Sequence, residues 1–253
     1  MFPFTSEVKT IPANEELIAG QGMFDTEYVH LENTNRIIAF LRQYFGNKSF
    51  SILDIGGGSG LFLDNLLGAF PASRGMLVDA SKFLINKNKE NARKELVYSE
   101  FFTWAKRAHN KVEKFDLINM NWILHHLVAS SYRLSVINIK EAIQIATSLC
   151  SINGIISIYE QCCNGIIIDN LPGYLIYCLT SSNLIKPIIR KCGALSAGVG
   201  VCFQSKLQWK NIFKECQLKV ECEHDDVKWK PQPWDMLLNL KDFHDTHFIL
   251  KPC

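Results

Sequence analysis

No block of five like charges occurs in the 253 residues, and 27 Lys and Arg against 25 Asp and Glu leave a formal charge of only +2. That balance signals neither a nucleic-acid-binding tail nor a polybasic membrane segment. No C-x-x-C pair is present. The nine cysteines are odd in number and all lie from Cys150 onward, so neither a zinc ligand set nor a disulfide framework is indicated, and reduced, mostly buried thiols are expected. Long apolar runs are missing as well. Asp169, Asn170, Pro172 and Lys186 interrupt the longest ones before membrane-spanning length, and the opening MFPFTSEVK lacks the charged region and apolar core of a secretory signal. The expectation is a soluble, cytoplasmic protein that binds no nucleic acid or metal and does not insert into a membrane.

What is present is a strand–helix alternation in a chain that is 47% hydrophobic, enough for one large domain. Strand patterns fall at Phe50–Ile55, Gly75–Val78, Leu96–Ser99, Phe115–Met120 and Gly154–Tyr159. Helix patterns fall at Gly60–Leu67, Lys82–Lys94, Phe102–His109, Leu134–Leu149 and Lys206–Cys216. Near the end, LKVECEHDDVKW and DTHFILKP read as the two arms of an antiparallel ribbon. The pattern predicts an α/β fold: a doubly wound, Rossmann-like sheet of seven strands, mostly parallel with the last antiparallel, and helices on both faces. Residues 1–48 are assigned to a helical cap and 49–253 to the main domain, with a helical lid inserted at about 164–200.

The stretch SFSILDIGGGSGLFLDNLL places Gly56, Gly57, Gly58 and Gly60 between a strand and a helix. In open α/β sheets the ligand lies beyond the carboxyl ends of the strands, where strand order reverses, and the first strand-to-helix turn faces it. Glycines there let the backbone approach a ligand closely, and the following helix points its first amides at it. A dinucleotide site wants G-x-G-x-x-G, but the third position holds Leu61. The match is D-x-G-x-G-x-G, from Asp54 through Gly56, Gly58 and Gly60.

That pattern resembles motif I of the class I S-adenosylmethionine-dependent methyltransferases. Further stretches follow in the family's order. GMLVDAS puts Asp79 and Ala80 at the end of the second strand, where the resemblance implies an acid for the ribose diol. VYSEFF supplies Glu100 for the adenine amine and Phe101 beside its ring. FDLINMNWILHHL resembles motif IV, with Asn121 and Trp122 next to the methionine part. Alone, Asp54 or Asp79 would read as a cap or turn residue and Phe101 as core. Together they imply S-adenosyl-L-methionine as cofactor and S-adenosyl-L-homocysteine as product. The resemblance spans about residues 45–165 and leans toward small-molecule enzymes, including O-methyltransferases and the ubiquinone and menaquinone type.

The cofactor's sulfonium makes its methyl an electrophile, so the protein must aim a nucleophile and remove its proton. His125, His126 and Glu160, at the ends of the fourth and fifth strands, are the base candidates. Met23, Phe24 and Tyr28 are lid candidates on the N-terminal segment, whose helix should pack Ile37, Ile38, Leu41 and Phe45 on the sheet. Tyr174, Leu175, Ile176, Tyr177, Leu184, Ile185, Ile188 and Ile189 in the insertion could line an apolar substrate pocket or bury a homodimer interface, and the pocket is preferred. The leading reading is transfer of a methyl group to a small, partly apolar or aromatic molecule, with oxygen favoured. The alternatives are a nicotinamide-dependent oxidoreductase and a catalytically inactive cofactor-binding partner subunit.

Overall fold

The computed structural model describes residues 31–108, 114–191, 196–226, 229 and 233–253. Helix α1 (Leu31–Phe45) leads into β1 (Ser51–Ile55), α2 (Leu61–Ala69), β2 (Arg74–Asp79), α3 (Lys82–Ile85), β3 (Lys94–Tyr98), α4 (Phe101–Ala108) and β4 (Phe115–Asn121). A 3-10 turn (Leu124–His126) precedes α5 (Tyr132–Leu149) and the long β5 (Cys150–Gly165). The insertion carries α6 (Leu171–Ser181) and α7 (Lys186–Lys191). Then come α8 (Lys206–Glu215), β6 (Leu218–Asp225), a second 3-10 turn (Pro233–Leu238) and β7 (Leu240–Pro252).

The seven strands form one sheet in the order β3-β2-β1-β4-β5-β7-β6. Neighbours from β3 to β5 are parallel, whereas β7 runs antiparallel to both β5 and β6. The seven-stranded doubly wound expectation therefore holds, with the antiparallel strand lying inside the edge. Strand order reverses between β1 and β4, which marks the binding crevice in this kind of sheet.

Apolar residues on both sides of β1, β4 and β5 demand cover on both faces. On one face Ile37 and Leu41 of α1 and Leu63 and Leu66 of α2 pack with Ile52, Leu117 and Ile249. On the other, Ile139 and Ile143 of α5 and Trp209 and Phe213 of α8 pack with Leu53, Ile118, Ile156 and Phe248. Serine caps set two helix starts: Ser131 accepts from the Leu134 amide at 3.3 Å, and Ser205 from the Gln208 amide at 3.0 Å.

Two predicted boundaries are corrected. The helix read over Lys82–Lys94 stops at Ile85, because the Asn88 side chain turns back on the backbone and donates to Leu84 O at 3.2 Å and Gly58 O at 3.0 Å. The fifth strand does not end at Tyr159 but continues to Gly165, since β7 pairs with it from Ile156↔Leu250 to Gly165↔Leu240. Its polar residues meet polar partners there, as when Asn164 Nδ2 donates to Asp242 Oδ1 at 2.7 Å.

Phe248 is fully buried in β7, its ring 5.0 Å from that of Phe213. Phe248→Ala should cost about 3–5 kcal/mol of stability. A urea unfolding curve should show a lower midpoint with an unchanged slope.

Candidate active site

The turn after β1 brings the predicted glycines to the switch point. Gly56, Gly58 and Gly60 have φ of 70°, 56° and 76°, a left-handed region that side chains resist. Space is as restrictive as angle. A Cβ on Gly56 would lie 2.3 Å from Ile123 Cδ1, and one on Gly60 would lie 2.0 Å from Asn88 Oδ1. Gly60 caps α2 without any side-chain bond to the helix's first amides. Those amides make a ready anion and polar-ligand site.

Asp54 sits beneath this turn. Its Oδ1 accepts from Asn119 Nδ2 at 2.7 Å, while its buried Oδ2 has no hydrogen-bond partner, as is also true of Asn119 Oδ1. Burial raises its pKa from the ordinary carboxylate range to about 7, the Asn119 bond opposing the shift. Asp79, half-buried at the end of β2, accepts from the Gly58 amide at 3.0 Å and the Ser81 amide at 2.7 Å, one on each oxygen. A carboxylate at this strand end is the acceptor type that a diol ligand would require. Ala80 follows it, exposed.

Glu100 is half-buried just before α4, and Phe101 is buried with its ring 6.1 Å from Trp104. Asn121 ends β4. Trp122 holds a φ of 47°, strain of about 1 kcal/mol or more that clusters at functional sites. Its backbone amide donates to Tyr159 O at 2.8 Å, its indole Nε1 donates to Asp245 Oδ1 at 3.1 Å, and its ring lies 4.3 Å from that of Tyr159.

Of the three base candidates, two are bonded to each other. His125 Nδ1 is 2.7 Å from Glu160 Oε2, and Glu160 Oε1 accepts from the Leu124 amide at 2.7 Å. Glu160, expected at the end of the fifth strand, is instead fully buried within β5. An ionised Glu160 fixes the proton on Nδ1 and leaves Nε2 as the acceptor nitrogen of His125. The His126 ring is 4.1 Å from that of His125 and is exposed. Phe203 closes the other side of His125 at 5.0 Å.

The lid candidates Met23, Phe24 and Tyr28 lie outside the described residues. Tyr177 is buried and its hydroxyl donates to Ala129 O at 2.8 Å, whereas Tyr174 is exposed with its ring 5.6 Å from that of Tyr132. Leu184 and Ile188 are 92% and 62% exposed, against the preferred reading of them as pocket lining. Asp245 and Asn119 escaped the sequence reading. Asn119 had a signal, a polar residue within FDLINMN, but nothing local ties Asp245 to Trp122.

Residues 53–156 match a family model described as a methyltransferase domain. No curated protein matches the sequence. Among solved structures, an S-adenosylmethionine-dependent methyltransferase of Leishmania major aligns with a TM-score of 0.59 and 17% identity, over 96% of this chain and 79% of that one. Magnesium protoporphyrin IX methyltransferase from Synechocystis PCC 6803 with bound SAH gives 0.54 and 10%, over 98% and 90%. Mitomycin 7-O-methyltransferase gives 0.50 and 15%, over 81% of this chain and 49% of that one, so the chain spans about half its length. These likenesses establish the fold.

The pKa of Asp54 makes a testable demand. Because the folded pKa is raised to about 7, the unfolded chain ionises first. Stability is then lost as pH rises from the ordinary carboxylate range to about 7, and the loss levels off above that. Asp54→Asn should remove this slope. The variant should gain on the native protein across that window by at most about 4 kcal/mol, read from unfolding free energies at several pH values.

Proposed function

We propose that this chain, which carries a methyltransferase domain over residues 53–156, binds S-adenosylmethionine at the glycine turn and methylates a hydroxyl or carboxyl oxygen of a small, partly apolar molecule. The observation that carries the reading is the buried His125–Glu160 pair, set just beyond the β4 end on the same edge of the sheet as the turn. Support for the cofactor comes from the uncapped α2 amides, the left-handed glycines and Asp79, with Glu100 and Phe101 at the adenine end and Asn121 and Trp122 at the methionine end. When bound, the cofactor supplies a methyl group electrophilic enough for in-line displacement.

The chain's own residues then have separable tasks. His125 accepts the substrate proton at Nε2, with Glu160 holding its ring and stabilising the imidazolium that forms. Glu160 is thus a positioning residue, and its bond to the Leu124 amide fixes it in turn. His126 and Trp122 border the cleft and orient the substrate, with Tyr174 and Tyr177 on the insertion beyond them. One of the structurally similar enzymes bears on oxygen as acceptor, mitomycin 7-O-methyltransferase by its name, and the magnesium protoporphyrin IX enzyme bears on a small-molecule substrate.

Incubation with labelled S-adenosylmethionine and a panel of phenols and carboxylic acids should yield a labelled ether or ester. With the best acceptor, His125→Gln should lower kcat by about 100- to 10,000-fold while cofactor affinity stays within about twofold. Glu160→Gln should lower kcat less and shift the pH–rate profile. Near-native turnover by His125→Gln from about pH 6 to about pH 9 would remove His125 from the chemistry.

A further inference from the structure

We propose that Asp245 of β7 is a positioning residue: its bond to the Trp122 indole holds that ring as a wall on the acceptor side of the cleft, and so sets the affinity for the molecule to be methylated. Trp122 follows β4 directly, the next residue, Ile123, packs on Gly56, and His125 comes two further on. A bulky aromatic residue does not adopt a φ of 47° unaided, so contacts from elsewhere must hold it. Three do. The backbone amide donates to Tyr159 O at 2.8 Å, the ring meets the Tyr159 ring edge-on at 4.3 Å, and the indole Nε1 donates to Asp245 Oδ1 at 3.1 Å. The first fixes the backbone and the second is weakly directional, whereas the third decides which way the ring faces.

Asp245 is itself held. It sits opposite Gln161 in the β5–β7 pairing, and its backbone carbonyl accepts from the Asp226 amide at 2.9 Å. Asp226 takes the Tyr159 hydroxyl on one carboxylate oxygen and meets Arg36 of α1 at 3.5 Å on the other. A closed ring of contacts therefore runs through Trp122, Asp245, Asp226 and Tyr159, which come from four separate stretches of the chain. Asp245 and Asp226 both lie outside residues 53–156, so this control on the cleft belongs to the closing ribbon and not to the matched methyltransferase segment.

Stability does not account for an acid at this place. Burial, and behind it the charges of Glu160 and Asp226, push the Asp245 pKa above the ordinary carboxylate range, while the Trp122 bond and His125 oppose the shift. A half-buried carboxylate beside two others weakens the fold, and an apolar residue of similar size is often no less stable in such a position. Among the described residues the Asp245 side chain hydrogen-bonds only the indole, so that bond is what the acid supplies. The effect on acceptor affinity rests on the methyl-transfer reading; the bond itself does not.

The test compares the native protein with Asp245→Leu, which removes the accepting oxygen, Asp245→Asn, which keeps one, and Trp122→Phe. In ligand-free protein, the indole N–H signal that Trp122→Phe deletes from the proton–nitrogen NMR spectrum should move upfield in Asp245→Leu and stay near its native place in Asp245→Asn. With the best acceptor from the panel of phenols and carboxylic acids, Asp245→Leu should raise KM at least about tenfold, with kcat and S-adenosylhomocysteine affinity within about threefold of native. Asp245→Asn should recover most of that loss. Adding Asp245→Leu to Trp122→Phe should change KM by less than about twofold, because the acid acts through the ring. If circular dichroism shows that the leucine variant does not fold, Trp122→Phe carries the test and should show the same rise in KM. An unmoved indole signal, a native KM, an asparagine variant as weak as the leucine one, or losses that multiply in the double variant would overturn the proposal. A protein that methylates no acceptor fails the methyl-transfer reading and the acceptor wall with it, whereas an unmoved indole in an active enzyme fails this proposal alone.

Discussion

Three side chains press on the glycine turn where a Cβ would otherwise be, and the site is organised around that contact. Ile123 meets Gly56, Asp54 meets Gly57 with a would-be Cβ 2.3 Å from its Oδ2, and Asn88 meets Gly60. Each comes from a different element: the segment after β4, the strand β1 itself, and the coil after α3. The turn is therefore locked between both sides of the switch point, and no residue larger than glycine can take these places without displacing one of them. Ile123 continues within two residues into His125. The same close packing thus fixes the distance between the ligand-facing backbone and the imidazole.

Around that contact the sheet carries polar groups where an ordinary core would be apolar. Asp54 bonds Asn119, Glu160 bonds His125, Trp122 bonds Asp245, and the Tyr159 hydroxyl donates to Asp226, which also meets Arg36 of α1 at 3.5 Å. Burying such groups is costly unless they are paired, and here the pairings join residues distant in sequence. The antiparallel β7 supplies Asp245 for one of them. Running against β5, it lays Asp245 and Thr246 beside Gln161 and Glu160, so the closing ribbon reaches back into the mouth of the parallel half. Asp54 pays for its position with a raised pKa, a local conflict of the sort that proteins keep at functional sites.

The glycine turn, Asp79 and the strand–helix alternation were legible because each depends on short-range pattern: period, spacing and the angles only glycine reaches. Glu160 and His125 could be named from their strand-end positions, but not joined, since nothing within either segment encodes a 2.7 Å bond across thirty-five residues. Glu160 was misplaced for a related reason. Its polar neighbours in YEQCCNG look like the end of a strand, and only the polar partners on β7 let the strand run on. The helix read through Lys94 failed differently, because the helical pattern was outweighed by one asparagine folding back on the backbone. Leu184 and Ile188, apolar by type, were read as pocket lining in preference to a homodimer interface, whereas the fold leaves them exposed.

The central claim is that a ligand of the S-adenosylmethionine class sits against the backbone of this turn. Amide hydrogen exchange of the native protein, with and without saturating S-adenosylhomocysteine, reads that backbone directly. Protection should rise at Gly57–Leu63 and around Ser81, and extend to the segment from Glu100 to Phe102, while the α7 segment and β6 stay unchanged. Exchange at the turn that is indifferent to the ligand, in a protein that is folded and otherwise protected, would contradict the claim.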